Sequence, residues 1–292
     1  MATPVTVIIL TYNEELNLPH ALASVCGWAD QVIVLDSFST DRTVEIAQAH
    51  GCEVYQHRFE NYAAQRNHAL TLPIRNEWVL FLDADEWLPE ELKREIAETL
   101  LRNPRENGFY LKWRFIWMGR WIRRGYYPTW ILRLFRHGKG KCEEREVNEH
   151  LIVEPPLGHL RHDFIHEDHK GLAAWIAKHV AYARREAAEL RKAREVVTQE
   201  EIPARLFGTQ AERKRWIRAK IWNRLPPLFR PWLYFFYRLV LRGGWLDGPV
   251  AMGYHFLQAL WFPMLIDLYD LADRRNLRAD PEWDRCAGSQ TR

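Results

Sequence analysis

Cysteine is scarce in this chain and poorly spaced for cross-linking. The 292 residues include four, Cys26, Cys52, Cys142 and Cys286, with no CxxC pair among them. That argues against a zinc knuckle or a disulfide framework and fits a reducing compartment. Glycine-rich phosphate loops are missing too: neither GxGxxG nor GxxxxGK[ST] occurs, which argues against a dinucleotide oxidoreductase and a P-loop NTPase. Glycine and proline contribute only 15 residues each, and no internal repeat or low-complexity tract is present, so solenoid and fibrous architectures are excluded. No apolar run reaches the roughly 20 residues that cross a bilayer. Leu228–Leu241 has 14 residues, interrupted by Arg230, Pro231 and Arg238, and Pro249–Ile266 has 18 but carries His255, Gln258 and Pro263. The opening Met-Ala-Thr-Pro runs straight into a strand-like segment, without the basic flank, apolar stretch and cleavage site of a signal peptide. A cytoplasmic location is therefore expected.

What is present is a globular composition, 47% hydrophobic and 27% charged, in a length that suggests two domains or one domain with an appendage. The net charge of +3 conceals an asymmetry. Residues 1–100 hold 6 Lys/Arg against 16 Asp/Glu, and the remainder 35 against 22. Eleven of the 14 tryptophans lie beyond residue 110, many beside Arg or Lys. Aromatic rings interleaved with cations suit a membrane interface or a polyanion. The densest example is Lys112–Arg124, with four aromatics and five cations; it could cradle an acidic glycan, touch a membrane, or pack its rings beneath a sheet.

The first hundred residues alternate short Val/Ile/Leu-rich runs with longer amphipathic stretches, a βαβα signature. Strands are predicted at Val5–Leu10, Gln31–Leu35, Cys52–His57 and Trp78–Leu82, and helices at Glu15–Val25, Asp41–His50, Asn61–Leu72 and Glu90–Leu101. Ser39, Thr40 and Asp41 offer caps for the second helix. Shorter pieces, Phe109–Phe115, Ile131–Phe135 and Leu151–Val153, read as antiparallel strands completing the sheet. A helical stretch over Leu172–Thr198 follows. Then comes a basic segment, Arg205–Arg224, with seven cations and one acid, Glu212.

Three of the predicted strands end in polar clusters, and in an open α/β sheet such ends form the ligand crevice. Asp83 and Asp85 sit at i and i+2 after an apolar strand, so both carboxylates can face one side. That is half a site for Mg²⁺ or Mn²⁺, which complete their shells with phosphate oxygens and water; the alternative is a solvated acidic turn with Glu86. Asp36 ends another strand and could accept hydrogen bonds from a nucleobase or a ribose, or simply cap the helix that follows.

Together the segments VIILTYNEE, VLDSFSTDRT, Gln65-Arg66-Asn67 and FLDADEW resemble the inverting family 2 glycosyltransferases, in particular the branch similar to lipopolysaccharide-core glucosyltransferases. The resemblance is strong over residues 5–100 and weaker through Arg133-Leu-Phe-Arg136 and Val147-Asn148-Glu149 to His166. It implies a GT-A type Rossmann-like mixed sheet over residues 1–170, with a nucleotide-sugar half (1–107) and an acceptor half (108–170). Residues 171–292 are expected to form a helical, membrane-interfacial extension. By the resemblance, Thr11, Tyr12, Asn13, Glu14 and Asp36 hold the nucleoside, Asp83 and Asp85 hold ribose and metal, and Arg66 lies near the diphosphate or supports the aspartates. His166 is a further candidate metal or phosphate contact. Inversion needs a base opposite the leaving diphosphate; Glu149 is the first candidate, with Glu144, Glu143 and Asp168 as alternatives. The implied partners are a nucleoside-diphosphate sugar, UDP-linked in this branch, a glycan or lipid-linked acceptor, and an anionic membrane surface on the inner face of the cytoplasmic membrane, with no nucleic acid. A sugar nucleotidyltransferase is the other enzyme class open to these residues, and a non-catalytic polyanion binder the other non-enzyme.

Overall fold

The computed structural model describes residues 2–143, 150–195, 207, 210–275 and 277. Strand β1 (Thr3–Thr11) is buried along both faces: Val5, Val7 and Ile9 on one, Thr6 and Ile8 on the other. Such a strand belongs in the middle of a parallel sheet. It is flanked by β2 (Ala29–Asp36), beyond which lies β3 (Glu53–Gln56), and by β4 (Trp78–Asp83), all parallel. Helices α1 (Leu18–Val25), α2 (Thr43–Ala49) and α3 (Tyr62–Ala69) lie between these strands in sequence.

Past β4 come the short β5 (Glu86–Trp87), helix α4 (Glu90–Leu101), β6 (Gly108–Trp117), β7 (Arg120–Trp121) and β8 (Trp130–Arg136). A two-stranded sheet of β9 (Gly140–Cys142) and β10 (Leu151–Val153) follows, then β11 (Leu157–Glu167). The main sheet runs β3-β2-β1-β4-β8-β6-β11-β5, with β7 paired to β6. Strand β8 is antiparallel to both neighbours, so β6 points the same way as β4, and β11 is parallel to β6. The carboxyl ends of β1, β2, β4, β6 and β11 therefore emerge along one edge. Apolar side chains fill both faces. Val5, Val7 and Ile9 pack with Leu18 and Leu22 of α1 and Leu92 and Ile96 of α4; Ile8, Ile33 and Leu35 pack with Ala69 of α3, Phe81 and Phe135.

The structure corrects the sequence reading in three places. Leu151–Val153 does not complete the main sheet but pairs with β9, and β11, unpredicted as a strand of eleven residues, joins parallel rather than antiparallel. Helix α1 also starts at Leu18 rather than Glu15, because Glu14–Asn17 is committed to the crevice described below. The expected cap on α2 comes from Asp41, whose Oδ1 accepts the Thr43 N–H at 3.0 Å.

The chain divides into two compact units, residues 1–172 and 173–292. The second is helical: α5 (Gly171–Glu195), α6 (Gln210–Lys220), α7 (Arg230–Phe236) running into a π turn (Tyr237–Leu241), α8 (Pro249–His255) with a second π turn (Phe256–Trp261), and α9 (Phe262–Arg274). Arg230 and Asp267, 6% and 1% exposed, form a buried ion pair between α7 and α9. Glu186 of α5 accepts from Arg218 of α6 at 2.7 Å. No helix among the described residues is long and apolar enough to cross a membrane. The α7 segment nevertheless exposes Trp232, Leu233, Phe236, Tyr237, Val240 and Leu241. Their spacing of one and four residues places them on one helical face.

Candidate active site

The loops after β1 and β2 interlock. Asn13, at φ +53°, a conformation asparagine tolerates better than most residues, donates its N–H to Ser39 Oγ (2.8 Å) and accepts the Thr40 N–H on Oδ1 (2.8 Å). The Glu14 N–H donates to Thr43 Oγ1 at 2.7 Å. Asp36 is fully buried beneath them. Its Oδ1 accepts from Thr11 Oγ1 (3.0 Å) and Ser39 Oγ (2.5 Å), and its Oδ2 from Ser39 N (2.8 Å) and Gln56 Nε2 (3.3 Å). Both oxygens of Asp36 thus hold the loop together. Above it, Tyr12 and Phe38 are 57% and 53% exposed; Phe38 adopts φ +60°, which costs an L-residue with a side chain about 1 kcal/mol.

Helix α3, capped by Asn61 Oδ1 on the Ala64 N–H, explains the Gln65-Arg66-Asn67 motif residue by residue. Gln65 donates to Ser37 Oγ at 3.0 Å. Arg66 Nη2 donates to Asp83 Oδ1 at 2.9 Å. Asn67 exchanges two hydrogen bonds with the Cys142 backbone, at 2.8 and 3.0 Å. Three consecutive side chains therefore tie the β2 loop, the end of β4 and the β9–β10 hairpin to one helix.

At the end of β4, Arg133 of β8 donates to Asp83 Oδ2 (2.7 Å) and to Glu86 Oε1 (2.6 Å). Glu86 Oε2 in turn accepts the Asp83 N–H at 2.9 Å. Burial would raise the Asp83 pKa, but Arg133 and Arg66 overrule it and hold the carboxyl well below the usual carboxylate range. Burial dominates at Glu86 and pushes its pKa up, against the pull of Arg133. Arg133 is locked in its charged form by Asp83 and Glu86 despite its own burial.

Asp85 follows in the turn, its carbonyl accepting the Glu167 N–H of β11 at 2.9 Å. His166 sits against Trp113 and Phe115, its Nε2 3.7 Å from Asp85 Oδ2 and its Nδ1 3.7 Å from Glu86 Oε1. Glu14 completes the rim. It accepts from Lys170 Nζ (2.6 Å) and Asn17 Nδ2 (2.8 Å), and burial raises its pKa. Among the described residues no three His, Cys, Asp or Glu side chains gather into a metal cage.

The structure thus brings Thr11, Asn13, Glu14, Asp36, Arg66, Asp83, Asp85 and His166 to one edge, with Tyr12 exposed beside them. Of the candidate bases, Glu149 and Glu144 lie outside the described residues. Glu143 is 2% exposed beside His150, and Asp168 Oδ1 accepts from Asn17 Nδ2 (3.0 Å) and from the Lys170 N–H (3.0 Å). Sequence reasoning missed the roles of Arg133, Glu86, Asn17, Lys170 and Phe38. The Arg133 segment was visible as a motif, but nothing local indicated which carboxylates it would meet.

The domain is a Rossmann-like mixed sheet with charged side chains gathered where its parallel strands end. Residues 6–148, just under half of the chain, match the family model described as glycosyl transferase family 2. An uncharacterized glycosyltransferase of Rickettsia bellii is 42% identical over 92 residues, 32% of this chain and 31% of the relative. The SPbeta prophage-derived glycosyltransferase SunS of Bacillus subtilis is 32% identical over 97 residues, covering 32% of this chain and 23% of that protein. The chain thus spans about a third or less of the length of these curated relatives. Among solved structures, glucosyl-3-phosphoglycerate synthase from Mycobacterium tuberculosis, in complex with Mn²⁺, UDP and glucosyl-3-phosphoglycerate, is 23% identical. The match covers 38% of this chain and 44% of that one, with a TM-score of 0.33.

Proposed function

We propose that the protein is an inverting glycosyltransferase that moves a hexose from a UDP-linked donor to a glycan or lipid-linked acceptor, in the assembly of cell-envelope polysaccharide or the lipopolysaccharide core. The observation that carries this reading is the convergence of the β1, β2 and β4 loops on one charged edge, all three bound to α3 or to each other. In this reading Tyr12 and Phe38 flank the nucleoside base, while Asp36 orders the loop beneath it. Arg66 and Arg133, neutralised by Asp83 and Glu86, fix the cluster's geometry.

Mg²⁺ or Mn²⁺ fits Asp85 and His166. Asp85 Oδ2 and His166 Nε2, 3.7 Å apart, are the two atoms that would hold the ion, with diphosphate oxygens and water completing its shell. Asp83, with both oxygens on arginines, is the poorer ligand. When bound, the ion supplies positive charge to the departing diphosphate. Glu149 takes the proton of the acceptor hydroxyl as that oxygen attacks the anomeric carbon opposite the diphosphate; burial of Glu143 and the hydrogen bonds of Asp168 favour it over those two. The exposed apolar face of α7 and the basic segment before it support docking on an anionic membrane surface at its cytoplasmic side.

Calorimetry of UDP with and without Mn²⁺ tests the core of the proposal. The expected outcome is Mn²⁺-dependent binding in the wild type that Asp85→Asn removes without lowering the melting temperature. Unchanged affinity in the variant would put the metal elsewhere, and no UDP binding by the wild type would remove the donor assignment.

A further inference from the structure

The acceptor half carries a second charged constellation, separate from the carboxylate cluster. Strand β6 turns into β7 through Met118 and Gly119, at φ +48° and +72°, a two-residue hairpin with both central residues left-handed. The turn brings Trp121 opposite Ile116. The guanidinium carbons of Arg114 and Arg123 both lie over the Trp121 ring, 4.5 and 4.6 Å from its centre. Lys112 stands two residues before Arg114 on the same face of β6, its Nζ 5.5 Å from the Trp130 ring centre.

One carboxylate, Asp163 of β11, sits under this group. It is 6% exposed and accepts from Tyr127 OH at 3.2 Å, with Lys112 Nζ at 3.3 Å and Arg114 Nη2 at 3.5 Å. Two cations thus meet one buried acid, and a third, Arg123, stacks on the same indole as Arg114. Arg120 and Arg123 are exposed, and neither has a carboxylate partner among the described residues. A cluster with this excess of fixed positive charge, its guanidiniums oriented by an indole, is organised for a planar or tetrahedral anion.

Its position gives the anion an owner. β6 and β11 run parallel to β4, so their carboxyl ends, which hold Arg114 and Asp163, open on the edge that carries Asp85. The register sets Phe115 beside His166, and Arg114 beside Ile165. We propose that Lys112, Arg114 and Arg123 form a subsite for a phosphate or carboxylate group on the sugar acceptor, so that the enzyme selects an anionic glycan over a neutral one. The proposal rests on the glycosyltransferase reading above and specifies its acceptor class.

The test uses the full chain with UDP and Mn²⁺ present and three probes, glucose 6-phosphate, glucuronate and glucose, followed by saturation-transfer NMR and calorimetry. The two charged sugars should bind roughly tenfold or more tighter than glucose, the scale of one charge-assisted hydrogen bond. Arg123→Gln and Arg114→Gln should each weaken the charged sugars by about that factor while leaving glucose binding and UDP–Mn²⁺ affinity unchanged. Arg123 is exposed, so its variant keeps the test valid if Arg114→Gln misfolds. Equal binding of charged and neutral sugars, or charged sugars indifferent to both variants, overturns the subsite. A fourth arm uses phosphatidylglycerol vesicles: variants that lose vesicle binding yet keep glucose 6-phosphate affinity would assign the cluster to lipid and overturn it equally. If the wild type binds UDP–Mn²⁺ but discriminates no probe, the subsite alone fails. If it binds no UDP, the parent reading fails with it.

Discussion

Arg133 is the residue on which the carboxylate cluster depends. It donates to both Asp83 and Glu86, and Glu86 is 1% exposed. Arg133→Met should therefore cost about 3–5 kcal/mol, the penalty for leaving a buried charge without its partner, read as a fall in the urea midpoint. Adding Glu86→Gln should recover a large part of that loss; if the double variant is no more stable than the single one, the pair is not the source. Glu149→Gln should keep UDP affinity and lower turnover by roughly 10²–10⁴, the usual effect of removing a general base. Survival of turnover in that variant, with loss in Glu144→Gln, would move the base by five positions. At this scale the sequence was informative about the acids and about one counter-ion, Arg66, and silent about the other. Asp83 and Asp85 stand out because they follow an apolar strand, whereas Arg133 meets Asp83 from fifty residues away through a strand pairing that no local pattern encodes.

Helix α3 does for whole segments what Arg133 does for charges. Its Asn67 carries the β9–β10 hairpin on two hydrogen bonds, and the chain joining those strands, 144–149, contains both leading base candidates. Asn67→Ala should destabilise the protein by about 1–3 kcal/mol. It should also lower kcat while donor affinity stays constant, because Arg66 and the β2 loop keep their own contacts. A parallel loss of UDP affinity, measured by calorimetry, would mean that the helix itself had shifted. The βαβα elements were legible because β1, β2 and β4 each carry a buried run of apolar residues and longer amphipathic stretches separate them. Strands β5, β7, β9 and β10 were not, or were misplaced, because two or three residues hold no periodicity from which to read a partner. β11 was hidden differently: His159, Arg161 and His162 break its apolar pattern, and Arg161 and His162 are held through their backbone N–H groups by Glu95 of α4, a tertiary contact.

Across the whole molecule the charge asymmetry of the sequence follows the architecture, with the acidic front in the β1–β4 region and the basic, aromatic remainder in the strands from β6 onward and the helical unit. Full-length protein should pellet with anionic liposomes at low salt. High salt should weaken the association without abolishing it, since screening acts on the cations and not on aromatic burial. Trp232→Ser with Phe236→Ser should release it, and protein that stays in the supernatant at low salt would assign the α7 face to another contact. The place of β8 has a different kind of consequence, for anyone who would recombine such enzymes. It wedges between β4 and β6, so a cut at residue 107 strips the Trp78–Asp83 strand of its neighbour and leaves an apolar edge open to self-association. It also orphans Glu86. If the proposed reading holds, donor preference is therefore not a cassette that can be lifted out with the first hundred residues; a crossover has to fall after β11, so that the two ends of the sheet travel as one inheritance.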